Sequence, residues 1–177
     1  MFIEIIKIAT PYILAFIVYL VWHVQKEKEV ISSEARNLLN LLNNYTNESR
    51  RFETEVERTY RKETLEEEKN SSVSFLDDEL NKLFDLHDEI FNSIDFISSS
   101  VLDVDLFDHT RNYLDAVIRI LEQYSKCLSY EKYFESKDNL KKDRKVILDE
   151  TYKLKKVILT HVLFRKKYFL SLLRRSF

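Results

Sequence analysis

Histidine and cysteine are the side chains here whose chemistry would suit metal binding or nucleophilic catalysis, and the chain has four histidines and one cysteine. His87 and His161 fall on the apolar faces of predicted helices, where a metal pair or a proton relay inside a bundle could form. The Glu-x-x-His repeats of di-iron bundles are missing, and no His-Glu-x-x-His motif occurs. We therefore expect histidines that bond to neighbouring carboxylates, with no metal ion and no cofactor.

An acidic cluster formed by Asp103, Asp105, Asp108 and His109 is a second candidate for cation binding. It lacks the glycine and the terminal glutamate of an EF-hand loop. Its place at a predicted helix start indicates helix capping instead. Cys127 lies near an apolar face and is predicted to be a buried thiol, because the spacing reveals no histidine partner for a nucleophile. No catalytic residue is assigned, and the chain is predicted not to be an enzyme.

The composition restricts the fold class to all-α. Glycine is absent and proline occurs once, whereas hairpins and nucleotide-binding α/β folds need such residues at turns and near phosphates. A hydrophobic content of 45%, with 13% aromatic residues, excludes a disordered chain. The single cysteine excludes an intrachain disulfide and fits a reducing compartment.

The N-terminal stretch from Ile8 to Gln25 contains no Asp, Glu, Lys or Arg. With the apolar residues before it, this stretch approaches the roughly 20 residues that cross a ~30 Å hydrocarbon core. Tyr12, Tyr19 and Trp22 lie towards its ends, as membrane-interface anchors do. Residues 1–25 are therefore predicted to form an uncleaved transmembrane anchor, followed by a helical domain over residues 26–177.

A heptad pattern follows the anchor and predicts a helix–helix seam with coiled-coil character. The seam residues recur in steps of three and four: Ile31, Ala35, Leu38, Leu42, Tyr45, Phe52 and Val56, with Ser49 between the last tyrosine and phenylalanine. We expect this first helix to continue to about Lys69 and to end at Asn70–Ser72.

Three further helices are expected. The second runs from near Ser74 to Ser98–Ser100, the third from Asp103–Asp108 to about Glu135, and the fourth from Ser136 to about Arg175. Short connections make sequential helices antiparallel neighbours, so an up-down-up-down four-helix bundle is the expected architecture.

Charge is spread unevenly along the chain. Residues 1–136 carry 15 basic and 26 acidic side chains, a net charge of −11, whereas residues 137–177 carry 13 and 4, a net charge of +9. In the expected topology this basic C-terminal helix returns to the lipid headgroups. The predicted membrane-surface residues are Arg165, Lys166, Lys167, Arg174 and Arg175. A solvated face or a nucleic-acid surface would also explain the basic residues.

Residues 80–128, which read LNKLFDLHDEIFNSIDFISSSVLDVDLFDHTRNYLDAVIRILEQYSKCL, resemble the helical hairpin of a bacterial family of unknown function. Its members have an N-terminal membrane helix and a turn that ends in an acidic residue. Ser99-Ser100 stands where that family usually has glycine. The resemblance implies a bacterial or phage origin and no established activity.

These features favour a non-enzymatic, single-pass inner-membrane protein with a cytoplasmic helical bundle. Its expected partners are the lipid bilayer and either another protein or a second copy, as an accessory or effector component of a membrane-linked system. Two alternatives stay open at this point. One is a phage lysis protein resembling spanins, with the domain outside the inner membrane. The other is a soluble helical module that binds nucleic acid or nucleotide, with its first helix buried in an oligomer.

Overall fold

Four helices form within the ranges that the structure, a computed structural model, describes: residues 2–61, 66–101 and 103–162. Side chains are described for residues 9–60, 73–101 and 103–162. The helices are α1 (Phe2–Arg61), α2 (Glu66–Ser100), α3 (Val104–Lys126) and α4 (Tyr130–Val162). The predicted all-α fold and its helical bundle are confirmed.

Each helix packs against two neighbours, in the cyclic order α1, α2, α3, α4. Side-chain contacts give the direction of α1 relative to α2 and α4. Arg144 on α4 contacts Glu53 on α1, while the Ser32 hydroxyl near the other end of the bundle donates to the Val162 carbonyl. The hydroxyl of Ser93 on α2 donates to Glu34, and Glu79, earlier on α2, pairs with Arg51, later on α1. α1 is therefore antiparallel to both α2 and α4.

The core lies between the four helices and begins where α1 enters the bundle. On α1, Ile31 is half-buried, and the later seam positions Ala35, Leu38, Leu42, Tyr45, Phe52 and Val56 are buried. Their spacing of three and four residues keeps them on one helix face, which is why one stripe of α1 can contact both neighbours. α3 contributes the tyrosines Tyr113 and Tyr124, both fully buried.

The turn between α2 and α3 is fixed by hydrogen bonds from serine and aspartate side chains. The Ser99 and Ser100 hydroxyls donate to the Phe96 carbonyl at 2.9 and 2.8 Å. Asp103 is the N-cap of α3, and its carboxylate accepts from the backbone N–H groups of Asp105 and Leu106. The capping interpretation of Asp103 agrees with this geometry, which satisfies N–H groups that have no partner within the helix.

Two of the expected helix ends were wrong. α1 ends at Arg61, and Asn70–Ser72 lie inside α2. Serine and asparagine cost only about 0.5 kcal/mol each within a helix, so a short run of them does not force an end. α3 ends at Lys126 instead of near Glu135, and Ser136 lies within α4. Apolar residues continue at helical spacing through the connection between α3 and α4, so the sequence does not show where α3 ends.

The predicted transmembrane anchor over residues 1–25 is contradicted. In the part of the chain that the structure describes, no helix has the combination of length and apolar character that crossing a membrane requires. The uninterrupted apolar run between Pro11 and His23, Tyr12–Trp22, holds eleven residues. At about 1.5 Å per residue it spans roughly half of a ~30 Å hydrocarbon core. The predicted single-pass inner-membrane localisation is therefore wrong.

Candidate interaction surface

The first third of α1 extends past the position where the helix joins the core. Residues 9–30, which we call the N-terminal overhang, contain no buried side chain. Eleven large hydrophobic side chains between Tyr12 and Val24 are 37–74% exposed. They are consecutive except at Ala15 and His23, so they surround the helix instead of forming one stripe. From Tyr12 to Val24 the overhang is thus apolar around the whole helix circumference, and its charged residues lie at its base, at positions 26–29.

A groove of about 550 Å³ lies where the overhang meets the bundle. Its apolar wall is formed by Leu20, Val24 and Val30 on α1 and by Phe96 on α2. Lys26 and Glu27 provide charged groups at the same groove. Exposed apolar patches of this kind on a folded protein mark interaction sites more often than they mark solvated surface.

Aromatic rings continue along one edge of the overhang. The ring centroids of Tyr19 and His23 lie 5.0 Å apart, and those of Trp22 and His23 lie 5.7 Å apart. Trp22 is 53% exposed and is the only tryptophan of the chain. Exposed aromatic rings carry a large share of the binding energy at protein interfaces.

A polar cluster inside the bundle is the strongest candidate for chemistry. The Tyr124 hydroxyl donates to a Glu53 carboxylate oxygen at 2.8 Å, and the Arg144 guanidinium lies 2.6 Å from the other oxygen. Burial raises the pKa of Glu53, while Tyr124 and Arg144 oppose that rise. Burial, together with the Glu53 charge, raises the pKa of Tyr124 well above its usual value. The cluster connects α1, α3 and α4 and leaves both oxygens engaged, as a structural network does.

The predicted histidine and cysteine candidates occupy separate places. The ring of His161 is buried, and its Nε2 lies 3.2 Å from a carboxylate oxygen of Asp103, whereas His87 is half-buried beside Asp88. Burial lowers the pKa of His161, although Asp103 opposes the shift. Burial raises the pKa of the Cys127 thiol to about 11, so the thiolate is scarce at neutral pH. Within the described side chains, no group of three or more His, Cys, Asp or Glu could hold a metal ion.

The basic residues of the C-terminal region divide into two groups. Arg165, Lys166, Lys167, Arg174 and Arg175, predicted to contact the membrane surface, lie outside the described residues. On α4, Arg144 pairs with Glu53, Lys153 pairs with Glu150 at 2.6 Å, and Lys155 donates to Asn43 at 2.7 Å. These cations stabilise contacts within the chain, which reduces the share that is available to bind a polyanion.

The sequence contains a signal for the overhang, namely its apolar stretch, but the same stretch also predicts a transmembrane helix. An apolar pattern on every face differs from the heptad pattern that follows, and the change from one to the other occurs at Ile31. The Glu53–Arg144 pair had no such signal, because two residues 91 positions apart in sequence give no local pattern. No protein-family model matches this sequence, and neither a curated protein nor a solved structure is detectably similar to it.

Proposed function

We propose that this protein is a non-enzymatic interaction protein, in which a four-helix bundle holds the N-terminal overhang available for a protein partner. One observation carries the proposal: eleven large hydrophobic side chains of one helix segment are 37–74% exposed beside an open groove. Monomeric soluble proteins rarely expose apolar surface of that extent without a binding role.

The internal polar groups support the same function. Glu53 is engaged by Tyr124 and Arg144, and the carboxylate of Glu79 on α2 is engaged by Arg51 and Lys82. A catalytic constellation instead needs a reactive nucleophile, and the Cys127 thiol, which lines one cavity with Glu53 and Arg144, has its pKa raised to about 11 by burial. The polar groups of the bundle fix the packing of the helices, and the free apolar surface lies elsewhere, on the overhang.

Site-specific photo-crosslinking in cells tests this function. A photoreactive phenylalanine analogue replaces Phe16, which is 61% exposed on the overhang, or Phe107, which is 62% exposed on α3. The matched exposure makes Phe107 the control for non-specific capture. We expect a discrete protein adduct after irradiation at position 16 and none at position 107. Equal labelling at the two positions, or no adduct at either, would refute an interaction role for the overhang.

A further inference from the structure

We infer that the partner of the N-terminal overhang is a second copy of this chain, so that the protein forms a two-fold symmetric dimer through residues 9–31 and the groove beside Phe96. This inference rests on the interaction function proposed above and names its partner. Three properties of the surface lead to it: its area, its lack of charge and its groove.

The area matches what a stable dimer needs. The exposed hydrophobic side chains between Tyr12 and Val24 present on the order of 1,000 Å² per copy, against the roughly 800 Å² that each partner buries in a standard protein interface. In a two-fold symmetric dimer the same surface forms both sides of the interface, so one association step buries this area on both copies. A small ligand would cover only a fraction of a surface this long.

The overhang is electrostatically compatible with itself. Between Ala9 and Gln25 the sequence contains no Asp, Glu, Lys or Arg, so these parts of two overhangs can lie against each other without bringing like charges together. At its base, Lys26 lies 3.9 Å from Glu29, which balances the charge of that turn within one copy. A strongly acidic or basic partner would find no complementary charge on this surface.

The groove provides a binding site for the overhang of the second copy. Leu20, Val24, Val30 and Phe96 line it, and Phe96 is 42% exposed there. A helix with apolar groups on all faces needs contacts on more than one side. In a dimer, one side of each overhang packs on the partner's overhang, and a second side packs in the partner's groove between α1 and α2.

Sedimentation of the full chain over a dilution series tests dimerisation. The fluorescence of Trp22 reports whether the overhang is covered. In a concentrated sample we expect a mass of twice the 21.4 kDa of one chain. The Trp22 emission should then be blue-shifted and protected from quenching by acrylamide. Dilution should return the mass to that of one chain and expose Trp22. The two changes should share one midpoint, because the single tryptophan lies in the interface.

Phe16→Glu and Phe107→Glu form a matched pair of variants with nearly equal exposure. Phe16→Glu places a charge in both halves of a symmetric interface, so we expect its dissociation constant to rise by at least ~30-fold. Phe107→Glu should dimerise as the parent does, and circular dichroism should show unchanged helicity in both. A dimer that Phe16→Glu leaves intact, or that Phe107→Glu weakens equally, would overturn the inference.

Other occupants of the overhang give distinct results. A monomer at every concentration with Trp22 shielded from acrylamide would assign the surface to another segment of the same chain. A monomer whose Trp22 emission shifts only with phosphatidylglycerol vesicles would assign it to lipid. Either result overturns the dimer. A monomer in solution that still gives the Phe16 adduct to a different protein in cells overturns the dimer alone and leaves the interaction function standing.

Discussion

Replacing Tyr124 with phenylalanine removes one hydroxyl from the centre of the bundle. That hydroxyl donates at 2.8 Å to the Glu53 carboxylate, and the ring is fully buried against Phe52, with centroids 4.8 Å apart. The ring contact survives the substitution, so the loss is that of one hydrogen bond to a charged group, about 1.5–3 kcal/mol. For a chain of this size we expect the melting temperature to fall by about 3–12 °C.

Tyr113→Phe is the matched control on the same helix. Tyr113 is also fully buried, but its hydroxyl has no hydrogen-bond partner among the described residues. Removing a buried polar group that makes no bond relieves its desolvation cost, so stability should stay the same or rise. The two variants delete the same atom from the same type of residue at similar depth. Their difference therefore isolates the bond to Glu53.

Urea unfolding at one protein concentration measures both variants, at neutral pH and again below pH 4.5, the ordinary pKa of glutamate. The Tyr124 hydroxyl lowers the pKa of Glu53 because its hydrogen bond stabilises the carboxylate form. Tyr124→Phe should therefore lower the free energy of unfolding most at a pH where Glu53 is ionised. At low pH the bond becomes one between neutral groups, and the deficit should shrink to about 0.5–1.5 kcal/mol. Equal losses in the two variants, or a deficit that is independent of pH, would refute this assignment.

Two further substitutions test the core and the far end of the bundle. Leu42→Ala deletes a fully buried seam residue and should cost about 2–5 kcal/mol in urea unfolding, whereas Leu39→Ala, at a half-buried neighbour, should cost clearly less. Burial holds the pKa of His161 below its usual 6.5, so the unfolded chain takes up a proton there first. Stability should therefore fall as the pH drops below 6.5, and His161→Gln should show a shallower fall between neutral and mildly acidic pH.

The fold class could be predicted because it depends on properties that composition records. A chain without glycine cannot easily build hairpins, and its apolar residues recur at helical spacing, which leaves long helices as the way to bury them. The helix ends were harder to predict. Between Arg61, the last residue of α1, and Glu66, the first of α2, the sequence has neither proline nor glycine, so no residue there marks a turn.

The error over residues 1–25 has a physical cause that the two parts of α1 make clear. A stretch without Asp, Glu, Lys or Arg is not apolar throughout, because Thr10, Pro11 and His23 shorten the apolar run. From Ala35 to Val56 the apolar residues occupy one face, which α2 and α4 cover within the chain. Between Tyr12 and Val24 they occupy every face, and two neighbouring helices on one side cannot cover them. The change of period within one continuous helix therefore separates the apolar surface that α2 and α4 bury from the apolar surface that the described residues leave exposed.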